Sequence, residues 1–130
     1  MDRLNPFTLI NIPRRNISVK LADLRRSASR ATSLLRAMSN PSRLLILCLL
    51  AEGEKSVGEL ESAIGLSQSG LSQHLAVLRR KGIVSTRREA QSIFYSLTSR
   101  EAEAVMATLY QVFCAKLAKK RPVRMRENPA

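Results

Sequence analysis

The sequence predicts a mainly α fold with a small β-hairpin, in the order ααααββα. Three observations carry this. Residues 66–81 (LSQSGLSQHLAVLRRK) place Leu71, Leu75 and Leu78 at helical spacing. Residues 56–63 (SVGELESA) form a short helical pattern just before, with Val57, Leu60 and Ile64 on one face and Gly65 as the break. Residues 83–88 and 92–97 have strand composition, divided by the polar Glu89-Ala90-Gln91. Two short helices joined by a glycine turn and followed by a basic hairpin make a winged helix-turn-helix.

The first helix is expected from residue 18 or 20 to 38. Leu21, Leu24, Ala28, Ala31, Leu34, Leu35 and Met38 keep helical spacing, while Ser27, Ser29, Thr32 and Ser33 lower its propensity. Ser39-Asn40-Pro41 stops it, because Pro41 can open a helix but not continue one. The second helix, 41–52, is apolar nearly all round (LLILCLLA) and is expected to be the buried central one, with Cys48 mostly buried; Gly53 ends it. The last helix is expected from about 99 to 118, capped by Thr98 or Ser99 with Glu101 favouring its N-terminus. Its Met106, Leu109, Phe113 and Leu117 share one side, and Tyr110 and Cys114 fall at the edge of that stripe.

The helix at 66–81 is built for reading. Ser67 is a good N-cap, and Gln68, Ser69, Ser72, Gln73 and His74 are small or polar side chains suited to base edges and phosphates in a major groove. Arg79, Arg80 and Lys81 follow where a phosphate backbone would pass, and Arg87, Arg88 and Gln91 lie on the expected wing. The competing reading is a small helical domain with a solvated basic face.

The chain has 130 residues, 45% of them hydrophobic, and a formal net charge of +12. That length suits one domain with tails, and that charge a polyanionic partner. Residues 1–17 read as a disordered basic extension, 18–118 as the DNA-binding domain and 119–130 as a basic tail. No apolar run approaches the roughly 20 residues needed to span a bilayer, so no membrane partner and a cytoplasmic location are expected. The first and last helices carry more apolar surface than so small a core can use. The expectation is a homodimer pairing these helices, with two reading helices in successive major grooves roughly 34–36 Å apart. The alternative is a monomer packing them on its own core.

Asn40-Pro41-Ser42-Arg43-Leu44, Leu60, the string from Leu66 to Leu75, Leu78-Arg79, Arg87-Arg88 and Phe94-Tyr95-Ser96-Leu97 resemble the ArsR/SmtB winged-helix repressors. The resemblance implies a homodimer that binds a palindromic operator on double-stranded DNA and releases it when an inducer binds. Gly70 stands where the family usually has Ala, which costs about 1 kcal/mol of helix stability or allows close approach to DNA. The family's metal-binding thiols are replaced here by Ser56-Val57-Gly58, and the last helix has no His. No metal or other cofactor is therefore expected, a metal site shared between subunits being the alternative.

Cys48 and Cys114 are far apart in the sequence, so no local CxxC motif exists, and both read equally as small core hydrophobes. The resemblance shifts that balance. A branch of the family senses reactive sulfur through one cysteine on the second helix and one on the last, and Cys48 and Cys114 match those positions. It implies a repressor whose operator binding is switched off when reactive sulfur species, as inducer, link the two thiols. The rivals are a DNA-binding regulator or anti-silencer with inert cysteines, and a thiol enzyme. The last is disfavoured because the sole His, His74, belongs to the reading motif; no enzyme activity is expected.

Overall fold

The computed structural model describes residues 19–117. The expected basic extension and tail lie outside them. The elements are α1 (Leu21–Met38), α2 (Pro41–Ala51), β1 (Lys55–Ser56), α3 (Val57–Ile64), α4 (Gln68–Arg80), β2 (Val84–Glu89), β3 (Ser92–Leu97) and α5 (Arg100–Leu109), which runs into a π-helical turn at Tyr110–Cys114. The chain divides into two compact units at Thr32 and Ser33. In the first, the start of α1 leaves Val19, Leu21 and Leu24 exposed, and Asp23 pairs with Arg26.

The second unit holds the core and all the elements from the end of α1 onward. Its helix starts are fixed by side-chain caps that occupy otherwise unpaired N–H groups. Asn40 Oδ1 accepts from the Arg43 N–H at 3.0 Å, with Pro41 opening α2. Ser56 and Glu59 form a reciprocal capping box on α3, at 3.1 and 2.7 Å. Ser67 Oγ accepts from the Gly70 N–H at 3.1 Å, and Ser99 Oγ from the Ala102 N–H at 3.0 Å. Gly65 takes φ +80°, the left-handed cap that lets α3 turn into α4.

Ile46, Leu47, Leu60, Leu71, Leu78 and Ile83 are fully enclosed, with Ala37, Met38, Leu50, Leu75, Val84, Ala102 and Met106 completing the core. The three leucines of α4 thus point inward, which leaves its polar face outside. The sheet is antiparallel in the order β1-β3-β2. Val84 pairs with Leu97, Arg87 with Phe94 and Glu89 with Ser92, while Ser56 pairs with Phe94 from the other side. Strand β1 has no signature in the sequence, since two residues cannot display a period of two. The hairpin turn is also tighter than Glu89-Ala90-Gln91 suggested. Glu89 and Ser92 still pair, leaving Ala90 and Gln91 as the loop, with Ala90 at φ +56°.

One expectation about burial needs correction. Helix α2 buries Ile46, Leu47 and Leu50 but leaves Leu45 and Cys48 exposed. It packs on α3, α4, α5 and β3, and a single subunit has no further layer to cover its outer face. On the last helix, the subunit's own core covers the apolar side only as far as Leu109. Met106 is buried and Leu109 half-buried, but Phe113 and Leu117 are 69% and 59% exposed. The reason is the π-helical turn, where Ala115 donates its N–H to the Tyr110 carbonyl, five residues back. One extra residue in a turn rotates everything after it by about 100° relative to a straight α-helix.

Candidate functional site

The reading face is set by α4. With Leu71, Leu75 and Leu78 buried, Ser67, Gln68, Ser69, Ser72 and Gln73 are exposed. Gln68, Ser72, Arg79 and Arg80 line one side of a groove of about 780 Å³, and Gln91, Ser92 and Ile93 of the hairpin line the other. The groove therefore brings four of the expected residues together: Gln68, Ser72, Arg79 and Gln91. Ser67, Ser69 and Gln73 belong to the exposed surface of the same helix segment but not to the groove lining. Lys81 Nζ donates to Ser33 Oγ at 3.1 Å, tying the end of α4 to the end of α1.

His74 differs from its neighbours. It is half-buried, and its Nδ1 lies 3.5 Å from Arg43 Nη1. Arg43 also donates to the carbonyls of Ala37 and Arg36, the latter at 3.2 Å. Its guanidinium thereby satisfies the end of α1 and braces α4 from inside. The sequence offered Arg43 as part of a motif but gave it no task; only the folded juxtaposition of α1, α2 and α4 does.

On the wing, Arg87 and Arg88 are both exposed, and Arg87 also engages groups within the protein. Arg87 Nε and Nη2 donate to the two carboxylate oxygens of Glu54, both at 2.8 Å, and Nη1 donates to Glu89 at 3.1 Å. The guanidinium carbon sits 4.6 Å from the centre of the Phe94 ring. The Arg87 hydrogen bonds hold the Glu54 carboxyl below the usual carboxylate range, against desolvation and with help from the Arg87 charge and Ser96. They raise the basicity of Arg87 in return.

A second, mostly apolar cleft of about 990 Å³ opens on another side of α2. Leu44, Leu50, Met106, Tyr110 and Phe113 contribute apolar walls, and both Cys48 and Cys114 line it. Cys48 comes from α2; Cys114 comes from the π-helical turn and is half-buried. Without that turn, position 114 would be about 100° away around the helix. Partial burial, then the Cys114 thiol, then Glu52 push the Cys48 thiol up from its ordinary value. Among the described residues, no three His, Cys, Asp or Glu side chains are grouped to hold a metal ion, and no single helix is long and apolar enough to cross a membrane.

Residues 40–86 match the family described as bacterial regulatory protein, arsR family. The transcriptional activator HlyU of Vibrio cholerae is 50% identical over 96 residues, covering 74% of this chain and 89% of that protein. The biofilm growth-associated repressor of Xylella fastidiosa is 50% identical over 93 residues, covering 72% and 82%. Among solved structures, reduced HlyU from V. cholerae superposes with a TM-score of 0.70 at 51% identity, covering 72% of this chain and 99% of that one. The repressor BigR from X. fastidiosa gives 0.68 at 47% identity, covering 75% and 99%. By name these relatives are an activator and a repressor of transcription. The chain is a DNA-binding, winged-helix regulatory protein of the bacterial arsR family.

Proposed function

We propose that this regulator is a homodimeric repressor of a palindromic operator, released from DNA when reactive sulfur links Cys48 to Cys114. The observation that carries the reading is the shared cleft: two thiols distant in sequence line one cavity, one on α2 and one on the π-helical turn. The dimer is supported by the apolar surface one subunit leaves open, at Leu45, Tyr110, Val112, Phe113 and Leu117. The DNA contacts assigned to Ser67, Gln68, Ser69, Ser72, Gln73, Arg79, Arg88 and Gln91 rest on their exposure along α4 and the hairpin. His74 supports them from the inner side through Arg43.

The chemistry runs in two steps. The two steps are the same with the cysteines exchanged and are given with Cys114 as the first nucleophile. Its thiolate takes the outer sulfur of an organic persulfide, expelling the organic thiolate and leaving a persulfide on Cys114. The Cys48 thiolate then attacks the inner sulfur, expelling hydrosulfide and forming the disulfide. The two cysteines lose two electrons, and the persulfide is reduced to thiol and hydrogen sulfide. If both cysteines are persulfidated first, one attacks the other with loss of hydrosulfide and the bridge holds three sulfurs. Either link ties α2, which packs on α4, to the end of the last helix. A coupling on the order of 1–3 kcal/mol suffices for such a switch.

The test is intact mass together with DNA binding after persulfide treatment. Wild type is expected to lose two hydrogens, or to gain sulfur, and to release DNA in the same time course. Cys48→Ser and Cys114→Ser are expected to bind DNA when reduced and to stay bound after treatment. Release by both variants with wild-type kinetics refutes the linkage.

A further inference from the structure

Arg87 lies on the wing of a DNA-binding protein, yet three of its N–H donors, including the whole Nε–Nη2 fork, are already taken. Two parallel bonds of 2.8 Å join it to Glu54, a third joins it to Glu89, and the Phe94 ring lies beneath the guanidinium. Exposed ion pairs are ordinarily weak, but a planar bidentate pair stacked on an aromatic ring is the geometry in which a guanidinium is held best. Glu54 is fixed in turn. It follows the Gly53 break after α2, precedes strand β1 and accepts a further bond from Ser96 Oγ at 3.3 Å. Arg87 and Ser96 stand on β2 and β3, so one carboxylate spans both wing strands and joins them to the end of α2.

We propose that Glu54 is a positioning residue for DNA binding, an internal counter-anion that withholds Arg87 from phosphate and sets the pose of the wing. A carboxylate and a phosphate compete for the same fork of N–H donors. While Glu54 holds that fork, the wing's free cation toward DNA is Arg88, which makes no ion pair among the described residues. The inference rests on the DNA-binding assignment and not on the thiol switch, so the test uses fully reduced protein.

The measurement is the salt dependence of binding to a short duplex of mixed sequence, which needs no operator. Each phosphate contact adds about 0.9 to the slope of log affinity against log salt. Glu54→Gln is expected to steepen the slope by about one unit, an extra loss of affinity of about 3.5-fold between 50 and 200 mM salt. Arg87→Gln is expected to keep the wild-type slope. Glu54→Asp preserves the carboxylate and should return the slope to wild type. Glu101→Gln removes the same charge elsewhere and should leave it unchanged. A wild-type slope in Glu54→Gln overturns the proposal, as does equal steepening in Glu101→Gln, which would reduce the effect to net charge.

Discussion

The Cys114 thiol raises the proton affinity of Cys48 across a cleft to which α2 and the π-helical turn each contribute a wall. Partial burial contributes more to that shift and Glu52 less. A thiol so placed reacts as a weak nucleophile near neutrality and gains reactivity as pH rises, because only the thiolate attacks.

The first prediction is a pH–rate profile for alkylation of Cys48 by iodoacetamide, followed by mass spectrometry. In wild type, its midpoint should lie above the ordinary thiol range. Cys114→Ser removes a charge that opposes ionisation, so the midpoint should move down in pH; Glu52→Gln should move it down by less. Neither should restore the ordinary value, since the burial is unchanged. An unmoved midpoint in Cys114→Ser would mean that the two thiols do not sense each other.

Groove and wing contacts are separable by what they change. Gln73 is exposed on α4 with no internal partner among the described side-chain hydrogen bonds, so Gln73→Ala should relax sequence preference and leave the salt slope alone. Arg88→Ala should weaken binding to all sequences alike and flatten the slope by about one unit. A competition assay over a randomised duplex library, repeated at several salt concentrations, measures both. Equal effects of the two variants on preference would remove the distinction between reading and anchoring.

Helix periodicity made α4, α3 and the core leucines legible, because one buried stripe per helix is a local property of the sequence. Ser67, Gly65 and Pro41 were legible for the same reason: caps and breaks act within a few residues. What escaped depends on distance. The pairing of Lys55–Ser56 with β3 and the bidentate bond from Arg87 to Glu54 require chain segments far apart to meet. The exposure of Cys48 escaped for another reason. Composition shows that α2 is apolar all round but not that one subunit has too few layers to cover it. The π-helical turn at Tyr110–Cys114 has no composition of its own, so the sequence did not show that the subunit's own core covers the apolar side of the last helix only as far as Leu109.

That open surface yields a prediction about assembly. Phe113 is 69% exposed beside the similarly exposed Val112 and Tyr110. If a second subunit covers it, Phe113→Glu places a carboxylate in an apolar interface, where an unpaired charge is strongly unfavourable. Sedimentation velocity should show wild type as a dimer and the variant shifted toward monomer, with unchanged helical content by circular dichroism. A variant as dimeric as wild type would put the interface elsewhere on the molecule.

The hairpin turn offers a stability prediction of known sign. Ala90 is the one non-glycine residue with positive φ among the described residues, at +56°, in the two-residue loop between Glu89 and Ser92. An L-residue with a Cβ pays roughly 1–2 kcal/mol for that conformation, and glycine does not. Glycine in turn costs about 0.5–1 kcal/mol more conformational entropy on folding. The difference favours Ala90→Gly by a margin of about 0.5–1 kcal/mol, a rise of a few degrees in Tm for a domain of this size. Ala90→Val should move Tm the other way, because a β-branched side chain tolerates positive φ worst. Differential scanning calorimetry of the reduced protein measures both. If Ala90→Gly melts at or below wild type, the left-handed turn carries no strain for glycine to relieve.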